Sequence, residues 1–283
     1  MLPSLFRILG VLGIIYVLVC ALAWRYQDRL AFPSPRMRLP QPSEARIAGD
    51  LVSVPAADGV ILKGWYLPPK ASTGRKAPGV LWFYGNMESV AGLAPILDYL
   101  HDPETGLLAL DYRGYGENEG SLTEPLLYRD AESAWSYLAS RPEIDPARIA
   151  VYGRSLGSVS ALYIGTTKPV LGVILDSPLT TAREMARIHY AFVPSFLLRF
   201  KLDNLDRAAG LSAPLLVFHG TRDEIAPISM GERIAEAGSG ELVRLEGAGH
   251  NDTYDVGGKE YRDKLWAFLD KNFVEERRGT RKQ

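Results

Sequence analysis

Ala150-Val151-Tyr152-Gly153-Arg154-Ser155-Leu156-Gly157-Ser158 is an apolar run broken by Gly-x-Ser-x-Gly and followed by a helix-compatible segment, Val159 to Ile164. It reads as a strand that turns sharply into a helix. Such an elbow lifts the serine hydroxyl to the sheet edge and sets the N–H of the next residue beside it. Glycines suit positions 153 and 157 because the backbone doubles back too closely there for side chains, and dihedrals nearby are strained. The same letters can form a plain turn with a helix N-cap. An apolar strand before the motif and a helix after it favour the elbow, so Ser155 is the first candidate nucleophile.

A serine hydroxyl is a poor nucleophile at neutral pH and needs an imidazole to take its proton, held in the right tautomer by a carboxylate. Downstream, Pro214-Leu215-Leu216-Val217-Phe218-His219-Gly220 reads as a buried parallel strand emptying into the polar turn Thr221-Arg222-Asp223-Glu224-Ile225-Ala226-Pro227. Asp223 is the candidate acid. A further strand, Leu242 to Leu245, ends in Glu246-Gly247-Ala248-Gly249-His250-Asn251-Asp252, a glycine-rich loop able to carry a histidine across the sheet edge. His250 is the candidate base. Of the four histidines, His219 sits at a strand end, where packing or a hydrogen bond beneath the acid loop is the expected role. Asp176, closing the strand Val170 to Leu175, is a rival acid, because a carboxylate at that edge also reaches toward the imidazole. Asp252 lies too near His250 in sequence to orient its ring and is expected to cap backbone N–H groups.

The tetrahedral oxyanion of acyl transfer requires two donors. One is expected from the backbone N–H of Leu156, where the helix start favours negative charge. The other is expected from Asn86, in the loop Gly85-Asn86-Met87-Glu88-Ser89 after the strand Gly79 to Tyr84. Ser89 also reads as an N-cap, and both readings can hold. No His/Cys/Asp/Glu cluster has metal-ligand spacing, and neither a Gly-x-Gly-x-x-Gly nor a P-loop occurs, so neither metal nor nucleotide cofactor is implied.

From about Gly59 to the C-terminal helix the chain resembles the α/β-hydrolase superfamily, and within it the Bem46-like group of serine hydrolases. The residues that carry the resemblance are Tyr84-Gly85-Asn86, Asp111-Tyr112-Arg113-Gly114-Tyr115-Gly116, Gly153-Arg154-Ser155-Leu156-Gly157, His219-Gly220-Thr221-Arg222-Asp223 and Gly249-His250-Asn251-Asp252. The chain order Ser, Asp, His agrees. The resemblance implies a mostly parallel, eight-stranded sheet with helices on both faces, and nucleophile, acid and base roles on Ser155, Asp223 and His250. One departure is Tyr84, where that group usually carries histidine ahead of Gly-Asn. The backbone donors remain possible; the substrate contacts on that side are not implied.

Ahead of this domain, Ile8 to Trp24 is uncharged and apolar on every face, about the minimum length for a helix to cross a bilayer. Trp24 and Tyr26 are placed as interfacial anchors with Arg25 and Arg29 beyond them, so residues 1–25 read as a transmembrane signal anchor. Arg7 and the amino terminus face Arg25, Arg29, Arg36 and Arg38 across the span, which by the positive-inside tendency favours a cytoplasmic domain. A short basic start before an apolar stretch equally matches an export signal, so the membrane face stays open. Cys20, the one cysteine, lies in this segment, and no disulfide can form within the domain. Residues 26–48, with Pro33, Pro35, Pro40 and Pro42, read as a stiff linker or strap. Two antiparallel strands, near 51–54 and 60–66, meet at an Asp58-Gly59 turn. Alternating strands and helices follow to the helix expected at 258–273. The hydrolase domain is expected at 49–274, with a small insertion at 177–212 and a charged tail at 275–283.

The insertion carries Ile188-His189-Tyr190-Ala191-Phe192-Val193-Pro194-Ser195-Phe196, apolar enough to line an acyl pocket or lie against lipid, although plain packing is the simpler reading. A net charge of −1 argues against nucleic acid as a partner. The expected chemistry is two-step hydrolysis of a small-molecule acyl ester or thioester by a membrane-bound enzyme. A peptidase of the prolyl-oligopeptidase type would use the same three residues, and a binding module on this fold would use none of them.

Overall fold

A computed structural model describes residues 2–70 and 75–279. The last four residues of the expected tail lie outside the described residues, while 275–279 continue the final helix.

Strands β1 (Asp50–Pro55), β2 (Ile61–Leu67), β3 (Ala77–Phe83), β4 (Gly106–Leu110), β5 (Ile144–Arg154), β6 (Gly172–Asp176), β7 (Leu215–Gly220) and β8 (Glu241–Leu245) form one sheet in the order β1-β2-β4-β3-β5-β6-β7-β8. β2 pairs antiparallel with β1 and with β4, and every other neighbour is parallel. The parallel strands are buried along most of their length, as helices on both faces require: Ile149 to Arg154 of β5 and all of β6 and β7 are inaccessible to water.

Helices α3 (Glu124–Ala139), α4 (Gly157–Thr167), α6 (Asn204–Ala209) and α7 (Ile228–Ala237) pack in sequence along one face. Helices α2 (Ala94–Leu100) and α8 (Thr253–Gly279) cover the other, joined by Trp266 Nε1–H donating to Leu100 O at 2.9 Å. Trp82 of β3 stacks on Tyr152 of β5 at 3.7 Å between ring centres, filling the middle of the core. α8 begins before the expected residue 258. Gly258, at φ 47°, breaks it into a short turn directly after the His250 loop and a long helix, a reversal that glycine adopts at little cost.

The N-terminal helix α1 (Leu2–Ala31) contains the only described segment long and apolar enough to cross a membrane, Leu5–Ala31, and its most apolar window has no buried share. The helix runs seven residues past Trp24 because tertiary contacts hold its end. Gln27 is buried and receives Arg199 N–H at 2.7 Å, and Asp28 pairs with Arg199 at 2.8 Å. The segment after it lies along the domain: Phe32, Leu39 and Ile47 are buried, and Pro40 O accepts from Trp65 Nε1–H at 3.0 Å. Between β6 and α6, helix α5 (Ala182–His189) and a turn through Ser195–Leu197 make up the bulk of the insertion.

Candidate active site

β5 and its neighbours β3 and β6 end together at the carboxyl edge of the sheet, where ligands of open α/β sheets bind. The turn out of β5 is as tight as the glycines demand. A Cβ on Gly157 would lie 2.2 Å from Phe83 O, and one on Gly153 would lie 2.5 Å from Gly157 O. The strained backbone falls on the serine itself: Ser155 has φ 48°, a conformation that side chains disfavour. Its N–H donates to Asp176 O at 2.9 Å, which pins the elbow to β6.

Across the sheet edge the three candidates meet. Ser155 Oγ lies 2.9 Å from His250 Nε2, and His250 Nδ1 lies 2.7 Å from Asp223 Oδ2. The carboxylate can only accept, so Nδ1 carries the proton and Nε2 presents its lone pair to the serine hydroxyl. Asp223 Oδ1 accepts the N–H groups of Ile225 and Ala226 at 2.9 and 2.8 Å, which fixes the carboxylate plane. Burial alone would raise the Asp223 carboxyl. The hydrogen bonds from His219 and His250 and from the Ala226 N–H outweigh it and hold the group well below the usual carboxylate range.

The other expectations sort cleanly. His219 is fully buried beneath the acid loop, with Nε2–H donating to Ala226 O at 2.7 Å and Asp223 Oδ2 3.3 Å away. Asp176 does not contact the imidazole; its Oδ2 accepts the hydroxyls of Thr253, Tyr152 and Tyr261 at 2.8, 3.1 and 3.1 Å. Asp252 Oδ1 accepts Gly249 N–H at 2.6 Å, a cap on the loop that carries His250. Ser89 Oγ accepts Gly92 N–H at 3.4 Å as an N-cap.

Gly85 and Asn86 follow β3, next to the elbow, since Phe83 pairs with Gly153. Among the described residues, the N–H groups of Leu156 and Asn86 meet no protein acceptor. The Asn86 side chain is engaged on both ends: Oδ1 accepts from Tyr115 OH at 2.6 Å, and Nδ2–H donates to Ala31 O, the last residue of α1, at 2.8 Å. Tyr84, in place of the group's usual histidine, is completely buried and donates its hydroxyl to Asp111 Oδ1 at 2.8 Å. It supports the loop from below and offers nothing to a substrate.

One residue escaped the reading of the sequence. Arg154, inside the elbow motif, has 3% of its side chain exposed and binds Glu88 Oε1, His250 O at 2.6 Å and Asn251 Oδ1 at 2.9 Å. Glu88 Oε2 in turn accepts Gly85 N–H at 2.7 Å. One guanidinium thus brackets the Asn86 loop and the His250 loop. The available signal was a charge at the end of an apolar strand, which burial forbids without partners.

No family model matches the chain. An uncharacterised protein of Mycobacterium tuberculosis is 35% identical over 256 residues, 89% of this chain and 90% of that protein. The human alpha/beta hydrolase domain-containing protein 17B is 34% identical over 173 residues, 59% of this chain and 57% of its own length. Among solved structures, the Pyrococcus furiosus esterase Pf2001 superposes with a TM-score of 0.70 at 21% identity over 84% of this chain and 98% of that one. A puromycin-hydrolyzing peptidase of M. tuberculosis reaches 0.67 at 19% over 80% of this chain and 39% of that one. With its sheet order, its elbow and these structural neighbours, the chain has the α/β-hydrolase fold.

Proposed function

We propose that the chain is a membrane-anchored serine hydrolase that cleaves carboxylic esters or thioesters through an acyl-enzyme. The observation that carries this reading is the unbroken line from Ser155 Oγ through the His250 ring to Asp223. Ser155 attacks the acyl carbonyl while His250 Nε2 takes its proton, and Asp223 stabilises the imidazolium and keeps the ring oriented. The N–H groups of Leu156 and Asn86 receive the oxyanion, in a place where the start of α4 adds favourable potential. The imidazolium then protonates the leaving group. Water, deprotonated by the same nitrogen, attacks the acyl-serine, and the acid departs. The apolar segment Leu5–Ala31 supports the anchor.

Ser155→Ala should abolish both labelling by a fluorophosphonate and hydrolysis of short p-nitrophenyl esters. A variant that still labels fully at one site would show that the nucleophile lies elsewhere. Parallel panels of oxygen esters, thioesters and aminoacyl amides assign the leaving group, and a preference for the amides would favour the peptidase.

A further inference from the structure

The turn after α5 is fastened to the N-terminal helix at three levels. Tyr16 OH donates to Phe192 O at 3.0 Å, Gln27 Nε2–H to Leu197 O at 3.3 Å, and Arg199 lies over the Trp24 ring at 5.3 Å while pairing with Asp28. Phe200 packs on Phe32 at 5.6 Å. Tyr16 and Trp24 are eight positions apart on one helix, about 12 Å along its axis. With Trp24 at the interface of a spanning helix, the Phe192 end of the turn falls below the headgroup level.

The composition of the turn fits that depth. Phe192 and Phe196 are 60% and 79% exposed, with Ile188 and Tyr190 also exposed beside them. Part of the turn's polar backbone is paired within itself or to the helix, which lowers the cost of leaving water. Here Val193 N–H donates to Tyr190 O, Leu197 N–H to Pro194 O and Leu198 N–H to Ser195 O, at 2.8, 3.0 and 3.3 Å. Pro194 has no N–H, and the carbonyls of Phe192 and Leu197 receive side chains of the helix. Exposed Phe on a turn that pairs part of its own backbone is a surface suited to hydrocarbon contact.

We propose that residues 188–197 form a second membrane-contacting surface, seated in the acyl region of the leaflet that α1 enters. This rests on the anchoring proposed above. The site's rim continues the surface: His189 Nε2 meets Ile225 O at 2.8 Å, two residues from Asp223, and exposed Met87 follows Asn86, which is itself bonded to the end of α1. The mouth of the site is thereby held at the bilayer surface, where an acyl chain can pass from lipid toward Ser155 without crossing bulk water.

The test uses the full-length chain in vesicles of phosphatidylcholine and phosphatidylglycerol carrying doxyl-labelled acyl chains. Indoles introduced by Phe192→Trp and Phe196→Trp should be quenched at a depth of about 5–10 Å below the headgroup boundary. Trp24 reports the anchor independently, as the quenching that Trp24→Phe removes. If Trp24 is quenched and the indoles at 192 and 196 are not, the surface is refuted and the anchor stands; if none is quenched, the anchor fails and takes the surface with it. A Cys20→Ser, Phe196→Cys chain labelled with a nitrobenzoxadiazole dye gives a second reading. A blue shift on vesicle reconstitution is expected, and emission unchanged from water refutes the surface.

Discussion

Replacing Arg154 by methionine would separate the positioning of the site from its chemistry, because no atom of this residue lies on the Ser155–His250–Asp223 line. The substitution keeps the apolar stem and removes the guanidinium. It leaves Glu88, His250 O and Asn251 Oδ1 without their donor. Breaking a buried pair costs about 3–5 kcal/mol when the orphaned charge stays buried. The Glu88 side chain keeps 28% exposure and can rehydrate, so a stability loss of about 3 kcal/mol is expected, at the low end of that range. The kinetic effect is larger. The His250 carbonyl and Gly85 N–H, through Glu88, are the two handles by which the guanidinium sets the base loop and the oxyanion loop. A displacement of about 1 Å at either costs about 10²-fold in turnover. Arg154→Lys should fall between, since one ammonium preserves the charge but cannot span acceptors on two loops. Urea unfolding and kcat on a soluble p-nitrophenyl ester measure the two effects separately. If Arg154→Met loses stability yet keeps the parent's kcat, the loops hold their register without the guanidinium and the bracket is refuted.

Asp223→Asn should lower kcat by about 10³–10⁴-fold, because an amide N–H facing His250 Nδ1 selects the wrong tautomer; a loss below tenfold would point to another acid. Asp111, buried with Tyr84 OH and Val90 N–H on one oxygen, has its carboxyl pushed up to about 6, mainly by burial, against the relief those two donors give. Because the folded value lies above the ordinary 3.8, the native state binds this proton more tightly than the unfolded chain. The contribution of this residue to stability therefore declines as pH rises from about 4 to about 6, by at most about 3 kcal/mol. Asp111→Asn accepts the same two hydrogen bonds without the charge, so its unfolding midpoint should rise relative to the parent above pH 6 and converge with it near pH 4; a pH-independent difference would contradict this. Gly157→Ala should not fold to an active protein, since its methyl would meet two backbone carbonyls, Phe83 O at 2.2 Å and Tyr84 O at 2.8 Å. A soluble variant labelled by fluorophosphonate at the parent's rate would show the elbow to be looser than this.

The elbow, the acid turn and the base loop were legible in the chain because each is a local device. Glycines at 153 and 157 report a close backbone approach, and polar residues after apolar strands report where strands leave the sheet. Alternating strand and helix patterns sufficed for the parallel sheet, and the uninterrupted apolar run from Ile8 to Trp24 sufficed for the long first helix. The choice between Asp223 and Asp176 was not local. Both lie at or just beyond the ends of buried strands, and only the packing of Thr253, Tyr152 and Tyr261 shows that Asp176 Oδ2 is taken by hydroxyls and not by the imidazole. The roles of Tyr84, Arg154 and Gln27 were hidden for the same reason. Asp111, His250 and Arg199, the partners that define those roles, lie 27 residues away or more, so no spacing pattern records them. Local periodicity and backbone sterics thus determined which elements form and which residues stand at their ends. Long-range burial decided which of those ends share a proton, and which face of the insertion is sealed to the N-terminal helix, because unpaired charge and polar backbone are tolerated only where tertiary contacts supply partners.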